Sequence, residues 1–147
     1  MRLQPASAVD LVLEEADIFD WDADGRVFDT IIFSAWLHHV PHDRFDEFWS
    51  LVEGLLAPGG VVVFDFLDAT VPSPGKVEVA DEPSGGYTFH APSDGVSIRD
   101  LDGHRWRVVH VLWAPDELRA RLLGRGWEVA VLGPGLLSNM RWAAAHR

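Results

Sequence analysis

Three histidines close together are the first candidates for chemistry in this sequence. His38, His39 and His42 follow an apolar run. Neighbouring imidazoles can bind a metal ion or move a proton, because histidine changes charge near neutral pH. No nearby carboxylate pattern completes a metal site, so we predict no bound metal. Proton transfer by His39 stays open, and a histidine that serves only packing or solvation is the competing interpretation.

Carboxylates at the ends of apolar runs are the second group. Asp17 follows the run at residues 9–16, and Asp65 and Asp68 lie at and beyond the end of the run at 61–66. Ligands of open α/β sheets bind at the carboxyl ends of strands. From there Asp17 could accept a hydrogen bond from an exocyclic amine such as that of adenine. From spacing alone, a solvated turn carboxylate is the favoured interpretation.

The apolar runs predict the elements that would position these residues. We predict strands at residues 9–16, 29–35 and 61–66, because each run is short, apolar and bounded by turn residues. The segment between Pro41 and Pro58 has helical apolar spacing. A strand, a helix and a strand with short connections predict two parallel, adjacent strands, with helices covering both faces of the sheet.

The second half of the chain changes composition. Residues 69–95 are rich in Pro, Gly, Ser and Asp and predict a long surface loop. Residues 96–99 and 106–113 flank a turn at Asp102 and Gly103 and predict a hairpin. A helix at 115–123 and strands at 127–132 and 140–145 complete the prediction, all within a single domain of residues 1–147.

Composition narrows the function classes. The chain has 147 residues, a formal net charge of -11 and no cysteine, with seven Trp and eight Phe to build a core. The negative charge argues against nucleic-acid and acidic-membrane partners, because such affinity comes largely from Lys and Arg. No apolar run approaches the roughly 20 residues of a membrane-spanning helix. We therefore expect a cytoplasmic protein.

Three segments together resemble the class I S-adenosylmethionine-dependent methyltransferases. They are residues 16–21 (ADIFDW), 28–41 (FDTIIFSAWLHHVP) and 56–65 (LAPGGVVVFD), and they occur in the family's order. The resemblance implies a Rossmann-like three-layer α/β fold with a mostly parallel sheet and an antiparallel C-terminal strand. It also implies S-adenosylmethionine as cofactor and methyl transfer to a small-molecule acceptor.

The same resemblance implies roles for individual residues. Asp17 would bind the adenine amine and Ile18 would contact the edge of the ring. Ser34, Ala35 and Trp36 would line the cofactor cleft. His39 would lie near the acceptor pocket as the candidate catalytic base, although methyl transfer depends mainly on positioning a nucleophile against the sulfonium methyl group.

The sequence also departs from the family. The first strand, the Gly-rich turn that approaches the cofactor, and the second strand should all precede residue 9. Residues 1–8 are too few to supply them and contain no glycine. We therefore expect an N-terminally truncated, incomplete fold whose open sheet edge must be re-paired, with methyltransferase activity impaired or lost in this chain alone.

Three outcomes follow from this expectation. The sheet could be re-paired within the chain or across a homodimer, giving a non-catalytic module that binds a small molecule or a protein. A complementing subunit could instead supply the missing strands and restore methyl transfer. The third outcome is a truncated or misassigned reading frame whose parent is an ordinary methyltransferase.

Overall fold

The computed structural model describes residues 11–71, 96–101, 103–134 and 139–147. Two short 3-10 turns, Leu37–His39 and His42–Arg44, precede the first helix. The strands and helices are β1 (Phe28–Phe33), α1 (Phe45–Leu55), β2 (Leu56–Leu67), β3 (Val96–Leu101), β4 (His104–Val109), α2 (Pro115–Gly124), β5 (Glu128–Pro134) and β6 (Met140–His146).

Four strands form one sheet in the order β1-β2-β6-β5. β1 is parallel to β2, whereas β6 is antiparallel to both β2 and β5. Three strands therefore run in one direction and β6 opposes them, which confirms the mostly parallel sheet with an antiparallel C-terminal strand. β3 and β4 pair separately as an antiparallel hairpin, as predicted around Gly103.

The beginning of β2, which follows α1 directly, contains a bulge. The β1–β2 pairing passes from Phe28 opposite Leu56 to Thr30 opposite Val61, so the Pro-Gly-Gly stretch between them projects from the ladder. A Cβ atom at Gly60 would lie 2.9 Å from the carbonyl oxygen of Asp29. Only glycine allows this close approach of the two strands.

Both helices pack on the same face of the sheet. Phe45, Phe48, Trp49 and Val52 of α1 are buried at helical spacing, which follows from its amphipathic pattern. The end of α2 is joined to α1 through Glu53, which accepts hydrogen bonds from Arg125 Nε at 3.1 Å and Trp127 Nε1 at 3.0 Å. The core of the described part of the chain therefore lies between the two helices and one side of the sheet.

The opposite face of the sheet carries exposed apolar side chains. Ile31 and Phe33 pack against the core, so the intervening Ile32 faces the other way and is 66% exposed. Leu132 of β5 is 62% exposed. We predicted helices on both faces, but within the described residues they cover one.

The predicted strand at residues 9–16 is wrong for its described part. Residues 11–16 have no regular secondary structure, and Leu11, Val12 and Leu13 are 76%, 71% and 84% exposed. A strand requires a neighbour to complete its hydrogen-bond ladder, and no described strand lies beside this run. The apolar pattern indicated strand propensity but could not supply the partner.

Two further predictions concern the loop at residues 69–95 and membrane-spanning segments. The predicted loop at 69–95 lies outside them beyond Val71. Among the described helices, none is long and apolar enough to cross a membrane.

Candidate functional site

The candidate site lies where the parallel strands β1 and β2 end. Asp65 of β2 is fully buried and accepts hydrogen bonds from Ser34 Oγ at 2.5 Å and from the Ala35 amide at 2.7 Å. Ala35 has a φ of 52°, in the left-handed region that costs a residue with a Cβ atom roughly 1 kcal/mol or more. The Asp65 carboxylate therefore holds a strained turn directly after β1.

The hydrogen bonds to Asp65 hold two of the predicted cofactor contacts, Ser34 and Ala35, in place. Ser34 and Ala35 are brought together at the end of β1, and both are exposed. The sequence places Asp65 at the ligand-binding end of a strand, whereas in the structure it is a buried support for the turn. A carboxylate between two phenylalanines in an apolar strand was the available signal, because a buried carboxylate must find hydrogen-bond donors.

A cavity of ≈ 490 Å³ runs along the open edge of β1. It brings together Ile18 and Trp36, two of the predicted cofactor contacts. Apart from Thr30, its lining is apolar or aromatic, as expected for a site that accepts a flat hydrophobic ring. The lining residues are Ala16, Ile18, Trp21, Phe28, Thr30, Ile31, Ile32, Phe33, Trp36, Phe48, Leu51, Val52 and Leu55.

Asp17 lies beside this cavity without lining it. Its Oδ1 accepts a hydrogen bond from the Phe19 amide at 3.0 Å, and its carbonyl oxygen accepts one from the Asp20 amide at 3.1 Å. This is an Asx turn, a common local use of aspartate. The predicted contact between Asp17 and an adenine amine stays a prediction.

His39 is held by the hairpin. Its Nδ1 lies 2.8 Å from the carbonyl oxygen of Val109 in β4. Since a carbonyl can only accept, Nδ1 carries the hydrogen in the neutral ring and Nε2 has the lone pair. The His38 and His110 rings lie 4.1 and 6.2 Å from the His39 ring, centre to centre. Among the described residues, no group of three or more His, Cys, Asp or Glu side chains is arranged to hold a metal ion.

Comparison with known proteins identifies the fold. No family model matches the chain, and no curated protein matches it. A solved structure described as a DhpI-SAM-HEP complex aligns with 91% of this chain at 33% identity and a TM-score of 0.68. A DhpI-SAH complex aligns with 90% at 31% identity and a TM-score of 0.66. The glycopeptide N-methyltransferase MtfA, complexed with S-adenosyl-L-homocysteine, aligns with 90% at 20% identity and a TM-score of 0.57.

The chain has the class I methyltransferase fold. The resemblance recognised in the sequence is thereby confirmed, and S-adenosylmethionine or S-adenosylhomocysteine is bound in these related structures. The chain spans 56% and 53% of the length of the two DhpI chains, and 59% of that of MtfA.

A second buried carboxylate fixes the end of β2 in this methyltransferase fold. Asp68 is 2% exposed and accepts hydrogen bonds from Thr70 N at 2.8 Å, Thr70 Oγ1 at 2.6 Å and Arg141 Nε at 3.0 Å. Burial raises the pKa of Asp68, but the hydrogen bonds from Thr70 and Arg141 outweigh it and leave the pKa below its usual value. Asp68 therefore links β2 to β6 as a carboxylate.

Proposed function

We propose that this chain takes part in S-adenosylmethionine-dependent methyl transfer to a small molecule. It would supply the adenine side and the acceptor side of the cofactor cleft. The observation that carries the proposal is the 33% identity, across 91% of the chain, to a DhpI structure described as a complex with SAM. The cavity that Ile18 and Trp36 both line supports the proposal that this chain supplies the adenine side of the cleft.

The cavity lining fits one part of the cofactor. Ile18 and Trp36 provide the apolar surfaces on which an adenine ring packs. The ribose hydroxyls and the charged amino-acid end require polar partners, and Thr30 is the one polar side chain among the described residues of the lining. This chain by itself would therefore bind the cofactor weakly, and its methyl transfer would be impaired.

His39 is the proposed proton acceptor on the acceptor side. When bound, S-adenosylmethionine supplies a methyl group whose bond to the sulfonium breaks as the acceptor nucleophile bonds to it. An O–H or N–H nucleophile must lose its proton in this reaction. The hydrogen bond from Nδ1 to Val109 leaves Nε2 of His39 available to accept that proton.

A non-catalytic binding module is the second candidate function. It would act as a homodimer or with a partner subunit. The cavity favours this candidate because it continues along β1 to Phe28 and reaches Leu55 at the end of α1, beyond the residues proposed for adenine.

Saturation-transfer NMR with S-adenosylhomocysteine tests the proposed cofactor role at weak affinity. We expect transfer to the adenine protons, and we expect Trp36→Ala to abolish it. Trp106→Ala is the matched control, because Trp106 is 55% exposed on the β3–β4 hairpin and is not part of the cavity lining. Absence of transfer in the unmodified chain, or equal transfer in both variants, would contradict cofactor binding here and favour the second candidate.

A further inference from the structure

The turn at residues 17–20 carries one of the proposed cofactor contacts. Ile18 lines the cavity, and the Asp20 amide donates a hydrogen bond to the carbonyl oxygen of Asp17 at 3.1 Å. This hydrogen bond fixes the local conformation of the turn. It does not fix the position of Ile18 relative to Trp36, the other proposed adenine contact in the lining. Contacts between the turn and α1 must supply that position.

Phe48 of α1 connects the turn with Trp36. The centre of its ring lies 6.4 Å from that of Phe19, in an edge-on arrangement, and 6.5 Å from that of Trp36. Aromatic rings at these separations attract each other. Phe48 is 3% exposed and lines the cavity itself, so it is a fixed reference point for both proposed adenine contacts.

Arg44 covers the face of the Phe19 ring. Its Cζ atom lies 3.5 Å from the ring centre, where a guanidinium is attracted to the negative face of the ring. Glu47, in the first turn of α1, accepts hydrogen bonds from Arg44 Nε at 2.8 Å and from Nη2 at 2.9 Å. This double contact holds the planar guanidinium in one orientation. The negative charges of Asp17 and Asp20 also act on it.

We propose that Arg44 is a positioning residue for the cofactor site: it holds Phe19 against α1 and thereby places Ile18 where the adenine ring would contact it. The consequence for cofactor binding rests on the proposed function, whereas the placement of Ile18 does not. Arg44 is not among the described residues of the lining, and its side chain is 42% exposed. Its replacement therefore leaves the cavity lining and the buried core intact.

The variants separate positioning from a general loss of charge. Arg44→Gln removes the cation over Phe19. Arg44→Lys keeps the charge but loses the planar group that stacks on a ring and pairs with a carboxylate at two points. Arg119→Gln is the matched control, because Arg119 also belongs to an ion pair three residues apart, with Asp116 on α2, and is 50% exposed.

NMR of the ligand-free chain measures the placement of the turn. The chain has four isoleucines, so the methyl signal of Ile18 can be assigned in a simple spectrum. We expect a nuclear Overhauser effect between the Phe19 and Phe48 rings in the unmodified chain and in Arg119→Gln. In Arg44→Gln this effect should weaken and the Ile18 methyl shift should move. The melting temperature should change no more than in Arg119→Gln, because Arg44 is outside the core.

Titration of S-adenosylhomocysteine, followed by the shift of the Trp36 indole N–H, measures the consequence for binding. Arg44→Gln should bind about two- to fivefold more weakly than the unmodified chain, which corresponds to the loss of one cation–π contact. Arg44→Lys should fall between the two, and Arg119→Gln should match the unmodified chain. In a Phe19→Leu background, Arg44→Gln should add no further loss, because the ring face is already gone.

Three results would overturn the proposal. They are an unchanged Phe19–Phe48 effect and Ile18 methyl shift in Arg44→Gln, equal changes in Arg44→Gln and Arg119→Gln, and an undiminished effect of Arg44→Gln in the Phe19→Leu background. If S-adenosylhomocysteine does not bind the unmodified chain, the proposed function fails. The spectra of the ligand-free variants then still decide whether Arg44 places Ile18.

Discussion

Two regions of the described molecule differ in what they do: the core beneath the helices, which we call the covered side, and the edge of the sheet at β1, which we call the open side. On the helix-covered side, Trp49 and Trp127 are fully buried with their rings 5.3 Å apart. On the β1 side, Ile32 is 66% exposed, and Ile18 and Trp36 border an open cavity. Stability is therefore concentrated on the covered side, while the proposed cofactor contacts lie on the open side. Substitutions on the two sides should separate the two properties.

Truncation of a core tryptophan should have the largest effect. Trp49→Ala removes a fully buried indole that contacts Phe33, Phe64 and Trp127, and we expect a loss of about 3–5 kcal/mol in the free energy of unfolding. Ile32→Ala, on the open side, should cost less than about 0.5 kcal/mol. Urea unfolding followed by circular dichroism measures both. Similar losses in the two variants would contradict the division between the two sides.

Removal of the Asp65 carboxylate should have the next largest effect. Asp65→Ala leaves Ser34 Oγ and the Ala35 amide without their acceptor, at an expected cost of about 1–3 kcal/mol in urea unfolding. Asp65→Asn keeps one acceptor oxygen and should cost less. Ala35→Gly should recover part of the loss in the Asp65→Ala background, because glycine adopts the positive φ without strain. If Ala35→Gly gives no recovery, Asp65 does not act by holding that turn.

Asp68 should have a smaller effect on the free energy of unfolding than Trp49 or Asp65, and this effect should depend on pH. Its pKa is lower in the folded chain than its usual value of 3.8, so the unfolded chain binds more protons over that range. The stabilisation is therefore complete above the usual pKa and is lost as pH falls through the folded pKa. Asp68→Asn should be less stable than the unmodified chain by about 1 kcal/mol near neutral pH.

Urea unfolding from about pH 6 to pH 3 would measure this difference. The gap between the two chains should narrow as the pH falls. A gap that stays constant across the range would show that Asp68 does not stabilise the fold as a carboxylate.

Most elements could be predicted from the sequence because their signals are local. The helical spacing of Phe45, Phe48 and Trp49 and the turn at Gly103 identify α1 and the hairpin without knowledge of the rest of the fold. The run at residues 9–16 misled the prediction, because strand formation requires a neighbouring strand. The role of Asp65 depends on contacts with residues about thirty positions away, and the cavity beside β1 exists only after β1, α1 and residues 16–21 come together.

Isothermal titration of S-adenosylhomocysteine into the unmodified chain tests the central claim most directly. The claim is that the covered side forms a stable core while the open side provides part of a cofactor site. We predict a dissociation constant weaker than about 100 µM, because the cavity lining fits the adenine ring and, among the described residues, offers Thr30 alone as a polar side chain. A dissociation constant tighter than about 10 µM would show a complete cofactor site and contradict the account.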